Sequence, residues 1–317
     1  MTFPDLAHAL AWTGALGWPA ALSLFWLISR RLKRLWAVRA VAAMVSAAWG
    51  LAVWGFLIEP TTLAVRRVEV ASPTWTGAPL TIGVISDVHV GGPHMRPARV
   101  ARVVERMNAE APDLIVLVGD YIAGHREPPE RSDRENAALE AGVVALGGLE
   151  APLGVVAVLG NHDWWYDGPR VEAWLTGAGV EVLENETIEV AREAGSFWIA
   201  GFADFHSERA QPAFARTLAN VPETDDVIGL EHWPDGFDFT PARVGLTISG
   251  HSHCGQLRFP IVGRPFTVSG GSARWPCGLY DEDGRLLYVT GGVGTSVLPA
   301  RFGARPEIVV IMLSAED

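Results

Sequence analysis

The sequence predicts a mixed α/β domain preceded by a hairpin of two transmembrane helices. Three observations lead there. Residues 9–29 and 40–58 carry no charged side chain, and each run is long enough to cross a hydrocarbon core of roughly 30 Å as a helix. Apolar runs of strand length recur from residue 80 almost to the C-terminus. Helix-period segments separate the first of them, which is an α/β layout.

Between the two long apolar runs lie Arg30, Arg31, Lys33 and Arg34, with Arg39 just beyond. The positive-inside rule places this basic loop in the cytoplasm. Two crossings then put the N-terminus and everything after Glu59 on the extracytoplasmic side. Neither run has a polar face, which disfavours a soluble bundle. Ser29-Arg30-Arg31 resembles part of a twin-arginine signal, but the preceding apolar run and Arg39 fit one poorly. The hairpin is therefore expected to be retained. On this reading residues 1–60 form the hairpin and residues 61–317 form one domain.

A connector through Pro79 contains a short alternating strand at 65–70. Strands follow at 80–85, 114–118, 155–159, 197–200, 227–230, 244–248, 286–289 and 308–313. Pro97 opens a helix that runs to Asn108, proline being favoured in a first turn. Ser132 caps a second, running to Leu146. A third spans 169–178 and is closed by Gly179. A fourth lies near 208–219. Pro128-Pro129 reads as an exposed loop, and the second half is richer in strands and Gly/Pro turns.

The formal charge is -11. Through Glu59 five bases face two acids, a net +3, which leaves -14 on the remainder. An acidic domain with no basic stripe does not track a nucleic-acid backbone, so no nucleic-acid partner is expected. Cys254 and Cys277 are too few for a disulfide framework. They pair only if the fold brings them together in an oxidising compartment.

Polar groups gather at the strand ends. The strand at 80–85 runs into Ser86-Asp87-Val88-His89. Side chains two apart on an extended chain face the same way, so Asp87 and His89 can aim at one cation. The strand at 114–118 runs into Gly119-Asp120, whose two carboxylate oxygens can bridge two cations. The strand at 155–159 runs into Gly160-Asn161-His162-Asp163. An amide oxygen suits a hard cation, and an imidazole either ligates metal or moves a proton. Two further strands end in Glu231-His232 and in Gly250-His251-Ser252-His253. Each signal alone is weak, because a lone histidine after a strand is more often a hydrogen-bonded structural residue. Five strand ends that all deliver oxygen or nitrogen ligands make a much stronger case.

The ordered set Asp87-x-His89, Gly119-Asp120, Gly160-Asn161-His162-Asp163, His232 and Gly250-His251-Ser252-His253 resembles the signature of calcineurin-like metallophosphoesterases. It covers about residues 80–256. The tail Gly291-Gly292-Val293-Gly294-Thr295-Ser296, with Pro299, Arg301 and Arg305-Pro306-Glu307, resembles a bacterial membrane-associated branch. That branch includes phosphodiesterases and UDP-2,3-diacylglucosamine pyrophosphohydrolases. The resemblance implies a four-layer α-β-β-α sandwich, two packed sheets with helices on both outer faces. It implies two divalent metal ions (manganese, zinc or iron). Asp87, His89 and His253 would hold one, Asn161, His232 and His251 the other, with Asp120 bridging. His162 would be no ligand but a general acid facing the leaving group, oriented by Asp163. Two cations roughly 3.5–4 Å apart can clamp a phosphate and bring a bridging water towards neutrality, ready to attack phosphorus. A positioned proton donor contributes about 10²–10⁴-fold.

The expected function is two-metal hydrolysis of a phosphodiester or pyrophosphate bond. Membrane tethering suggests a lipid-linked or envelope substrate. The alternatives are a phosphomonoesterase and a non-catalytic metal-binding scaffold; the completeness of the ligand set argues against the scaffold. The expected location is the bacterial inner membrane, with the domain on the periplasmic side. A substrate made inside the cell, such as UDP-diacylglucosamine, conflicts with that topology. Other residues have open readings. Cys254 stands where related sequences often have glycine and reads as a small apolar filler. Glu231 supports the ligands or is a solvated loop acid. His94 and His125 read as surface-loop residues, and Asp204 and His206 as loop residues that could line the cleft. Arg301 and Arg305 are anion contacts, caps or surface pairs, and Trp164-Trp165 is wall or core. The glycine turn at 291–294 reads as tight packing, since no lysine-bearing P-loop helix follows.

Overall fold

The computed structural model describes residues 36–316, together with Ala9, Trp12, Thr13, Trp18, Pro19, Ser23, Trp26 and Leu27. Apart from those eight positions, the first arm of the predicted hairpin and the basic loop at 30–34 lie outside the described residues. The second arm is helical. Helix α1 (Trp36–Val53) continues through a π-helical turn at Trp54–Ile58 and a 3-10 turn at Glu59–Thr61. Val38–Thr61 is long and apolar enough to cross a membrane, and most of it is exposed. The Ser46 hydroxyl donates to the Ala42 carbonyl at 2.6 Å, so the polar group has a partner inside its own helix.

Two six-stranded sheets follow. The first holds β1 (Ala64–Ser72), β2 (Leu80–Ile85), β3 (Leu114–Val118), β4 (Val155–Val158), β5 (Glu181–Val182) and β12 (Glu307–Ala315), in the order β1-β12-β2-β3-β4-β5. The second holds β6 (Glu186–Arg192), β7 (Gly195–Gly201), β8 (Val227–Leu230), β9 (Leu246–Ser249), β10 (Gly278–Glu282) and β11 (Arg285–Val289), in the order β10-β11-β9-β8-β7-β6. Strands β2, β3 and β4 run parallel, as do β7, β8 and β9. Parallel strands send their carboxyl ends to one edge, which is where the predicted ligands follow.

The apolar runs are continuous because both faces of these strands are covered. In β3, Leu114, Val116 and Val118 meet Ile199, Ile228 and Ile248 of the second sheet in one core. Ile115 and Leu117 point the other way, to Val103, Met107, Val143 and Leu175. Those residues belong to α2 (Pro97–Asn108), α3 (Asp133–Val144) and α4 (Asn161–Gly177). Each such aliphatic side chain contributes about 1.5–3 kcal/mol by leaving water. The outer face of the second sheet carries a thinner layer. It is made of α5 (Phe214–Thr217), α6 (Gly270–Arg274) and a 3-10 turn at Pro234–Phe239, packed through Phe214, Phe237 and Trp275. The architecture is therefore four layers: helices, sheet, sheet, short helical turns.

Three differences from the sequence reading have physical causes. α4 begins at Asn161, not near 169, because the Asp163 carboxylate accepts the Gly160 N–H and caps the first turn. Its backbone breaks at Asp167 and resumes at Pro169. The helix placed near 208–219 is only Phe214–Thr217, since Pro212 disfavours helix at the residue before it. Strands β5, β6 and β10 escape an apolar search. β5 has two residues, and β6 and β10 are edge strands with many polar positions.

Candidate metal centre

The carboxyl ends of β2, β3, β4, β8 and β9 bring together Asp87, His89, Asp120, Asn161, His232, His251 and His253, all buried. Nε2 of His253 lies 3.3 Å from Oδ1 of Asp87 and 3.1 Å from Nε2 of His89. Nε2 of His232 lies 3.2 Å from Oδ2 of Asp120, and Nε2 of His89 lies 3.6 Å from the same oxygen. Potential ligand atoms fall into three groups, each within 4.8 Å: Asp87–His89–His253, His89–Asp120–His162 and Asp120–His232–His251. Asp120 belongs to two of them, and His162 to one. Distance alone therefore admits His162 as a ligand too.

The convergence does not arise as the sequence reading had it. Asp87 and His89 are not on extended backbone; their φ angles are 52° and 49°. Asp120, His251 and His253 are also left-handed, at 59°, 63° and 50°. A non-glycine residue there costs about 1–2 kcal/mol, and such strain gathers at functional sites. Close packing enforces it. A Cβ on Gly160 would lie 2.4 Å from Oδ1 of Asp120, and one on Gly250 would lie 2.0 Å from the Ser86 hydroxyl.

Backbone carbonyls orient the rings. Nδ1 of His232 is 2.7 Å from the Val118 carbonyl, and Nδ1 of His89 is 3.3 Å from that of Ile122. A carbonyl only accepts, so Nδ1 carries the hydrogen and Nε2 turns its lone pair to the centre. Nδ1 of His162 is held in the same way, 3.0 Å from the Gly124 carbonyl. Its Nε2 lies 3.9 Å from Oδ2 of Asp120 and 3.5 Å from the Ser296 hydroxyl. The sequence reading had Asp163 orient this ring. Instead the Asp163 carboxylate accepts the backbone N–H groups of Gly160, Asp120, Tyr121 and Ile122, at 2.8–3.1 Å. It fixes the turn that carries Asp120, and the His162 backbone N–H in turn donates to Oδ1 of Asp120 at 2.9 Å.

The donor set fits divalent cations. Oδ1 of Asp87, Oδ1 of Asn161 and Nε2 of His251 are buried without a hydrogen-bond partner. Each orphan of this kind costs about 1–3 kcal/mol, which a bound cation removes. Mixed imidazole, amide and carboxylate donors suit zinc, manganese or iron. Burial, reinforced by Asp120, pushes Asp87 up to about 6. Burial and then His162 lower His89 to about 3. Burial opposes charge on His232, yet Asp120 lifts it to about 10.

An aromatic wall flanks the centre. Trp233 stacks on His251 at 3.8 Å, His206 stacks on Trp233 at 5.3 Å, and Trp165 meets both His206 and His162 edge-on. Trp233 escaped the sequence reading, although it directly follows His232. On the other side of His162 and His89 opens a cavity of about 610 Å³, lined by Leu139, Val297, Leu298, Arg126 and Arg131 among others. His125 is exposed against His162 and Trp165. His94 is not a surface residue: it is buried, with Nε2 2.9 Å from the Pro299 carbonyl. Arg301 is wholly buried, neither anion contact nor surface pair. Cys254 is no filler, because it forms a disulfide with Cys277. Glu231 is buried, not solvated, and neither carboxyl oxygen has a partner. The glycine turn is tight packing, with a Cβ on Gly292 coming within 2.5 Å of the Asp87 Cβ.

Buried carboxylate and imidazole ligands at the strand ends of a two-sheet sandwich, one carboxylate shared between ligand groups, define a metal-dependent hydrolase. The comparison with known proteins names the kind. The chain belongs to the calcineurin-like phosphoesterase family, whose profile matches residues 80–255. It is 32% identical over 219 residues to the Bacillus subtilis metallophosphoesterase YkuE, covering 68% of this chain and 72% of that protein. It is 26% identical over 290 residues to the Escherichia coli phosphodiesterase YaeI, covering 87% and 97%. A Danio rerio transmembrane protein with a metallophosphoesterase domain is 30% identical over 249 residues, or 74% of this chain and 53% of that protein, about half its length. The chain is thus a hydrolase of phosphoric esters that uses divalent metal, and α1 together with its transmembrane relatives links it to a membrane.

Proposed function

We propose that the chain hydrolyses phosphodiester or pyrophosphate bonds at a two-metal centre, in a lipid-linked or envelope substrate. Asp87, His89 and His253 would hold one cation and Asn161, His232 and His251 the other, with Asp120 placed to serve both. The observation that carries this reading is the membership of Asp120 in two ligand groups. When bound, the cations supply Lewis acidity, neutralising phosphoryl oxygens and acidifying water. The chain's own residues do the rest. Asp163 holds the Asp120 turn rigid through its four N–H contacts. The Gly124 carbonyl fixes His162 so that Nε2 gives a proton to the leaving oxygen, with Ser296 beside it. The cavity on the His162 side has room for the organic group of the leaving alcohol.

Residues 61–317 form the catalytic domain and residues 1–60 the membrane anchor, with the domain on the extracytoplasmic face. The Cys254–Cys277 disulfide supports that side, since disulfides persist in oxidising compartments. A reporter fused after Asp317, alkaline phosphatase against green fluorescent protein, tests the topology. The activity test compares bis-p-nitrophenyl phosphate with p-nitrophenyl phosphate, using full-length protein loaded with manganese or zinc. Faster diester turnover, lost in Asp120→Ala, is expected. Metal-dependent turnover that survives Asp120→Ala would overturn the reading.

A further inference from the structure

Residues 257–268 leave the centre as an apolar finger. Leu257 bridges to Phe302 and Phe259 bridges to Gly263, so the chain doubles back over Pro260, Ile261 and Val262. Ile261 is 98% exposed and Val262 70%, and Phe266 and Val268 are exposed as well. So many large apolar side chains on one exposed segment mark an interaction surface. The finger is braced. The Cys254–Cys277 disulfide closes the loop that contains it, and Nε of Arg264 donates to the Cys254 carbonyl at 2.9 Å.

Its seat is the end of the membrane helix. The Arg258 N–H donates to the Phe302 carbonyl at 2.6 Å, and the Phe259 ring stacks on Phe302 at 5.1 Å. The neighbouring Arg301 N–H donates to the Gly55 carbonyl at 2.8 Å, and the Ala304 N–H donates to Oε1 of Glu59 at 2.9 Å. Exposed Trp54 donates its ring N–H to Oε2 of Glu59 at 2.6 Å. A tryptophan in that place is what a membrane–water boundary selects. Residues 301–304, and the finger rooted on them, therefore sit level with the last turns of the helix, where hydrocarbon gives way to headgroups. The charge is complementary too. The chain after Glu59 is net -14, yet Arg258 on the finger and Arg305 beside its seat are exposed and form no ion pair among the described residues.

We propose that residues 257–268 are a second membrane contact: the apolar tip enters the headgroup region of the leaflet at which α1 ends, and Arg258 and Arg305 meet anionic headgroups. The contact holds the mouth of the metal centre at the lipid surface. Gln256, at the finger's base, accepts the Ser296 N–H at 2.8 Å and donates to the Leu298 carbonyl at 2.7 Å, so it ties the finger to the rim of the His162 cavity. The proposal rests on α1 crossing the membrane and holds whichever phosphoester is cleaved.

The test uses full-length protein in phosphatidylcholine vesicles, with and without phosphatidylglycerol. Ile261→Cys and, separately, Asp283→Cys carry an environment-sensitive fluorophore. Asp283 is the control because its turn lies beside Pro73, at the far end of the nine-residue β1. The label at 261 is expected to be quenched by nitroxide-bearing lipid and shielded from aqueous iodide several-fold better than the label at 283. Arg258→Gln with Arg305→Gln is expected to weaken that shielding only where phosphatidylglycerol is present. Equal iodide quenching at 261 and 283 would overturn the proposal. So would shielding without lipid quenching, which would assign the finger to a second copy of the chain.

Discussion

Nη2 of Arg301 lies 3.3 Å from Nδ1 of His253, inside a pocket of backbone carbonyls. Its two hydrogens go to the carbonyls of Gly294 at 2.6 Å and Gly291 at 2.8 Å. The contact with His253 is thus a fixed positive charge beside a ring, not a donated bond. Burial, then His89, then this charge push His253 well below its ordinary value, which keeps the imidazole neutral and able to ligate. Because the Arg301 backbone N–H also reaches the Gly55 carbonyl, one residue joins the end of the apolar N-terminal helix to the candidate metal centre.

Arg301→Lys keeps the charge but not the fork. Nε and Nη1 of Arg301 serve the carbonyls of Gly294 and Ala304 at 2.9 and 3.0 Å, and an ammonium cannot reach all four sites at once. A buried carbonyl left unpaired costs about 1–3 kcal/mol. A loss of about 2 kcal/mol lowers the melting temperature of a domain this size by about 4–8 °C. Bound metal should fall with it, as read by elemental analysis. Unchanged melting and metal content would count against the link.

His162→Asn removes the proposed proton donor and leaves the candidate ligands in place. Turnover should drop by about 10²–10⁴-fold, more for alkyl than for nitrophenyl leaving groups, since poor leaving groups need the proton most. Metal content should not change. The distances also admit His162 as a ligand, and loss of metal in this variant would assign it that role instead.

The gathering of the candidate ligands was legible because strands buried on both faces are unbroken apolar runs. Asp87, Asp120, Asn161, His232 and His251 interrupt those runs with lone pairs. What escaped depends on contacts between distant segments. The left-handed backbone at Asp87 and His89 is imposed by neighbours such as Gly292, about two hundred residues away in the chain. Arg301 is buried against the usual habit of arginine, because the backbone carbonyls of Gly291, Gly292, Gly294 and Ala304 collect around it. The role of Asp163 followed from proximity in sequence, whereas the donors it accepts from are the backbone N–H groups of the turn at 120–122.

Asp163→Asn separates those two roles. An amide nitrogen cannot accept, so at least one of the four N–H groups now held by the carboxylate loses its partner, and the charge that strengthens the others is gone. Stability should fall by about 3 kcal/mol, within the usual range for hydrogen bonds to a charged group. Metal should be lost as the Asp120 turn loosens. If Asp163 acted only on the His162 ring, the variant would instead keep its metals and mimic His162→Asn. Metal content measured beside turnover distinguishes the two.

Glu231 makes stability depend on pH in a direction opposite to a salt-bridged acid. Burial first, then the charges of Asp235 and Asp238, hold its carboxyl well above the ordinary value. Both oxygens are buried without partners, so the folded state keeps the proton. In the unfolded chain the group ionises near the ordinary glutamate value of about 4.3. Below that pH both states are protonated and the stability is fully present. As pH rises from there towards the folded value, the unfolded state alone loses its proton and stability falls by about 1.4 kcal/mol per unit. Glu231→Gln cannot ionise. Its stability relative to the native protein should therefore grow steadily between pH 5 and pH 8, followed by denaturant unfolding with saturating metal. The slope is the diagnostic, because a constant offset would reflect only altered packing. A flat difference across that range would mean that Glu231 is ionised in the folded protein, held by a cation or donor that the geometry does not reveal.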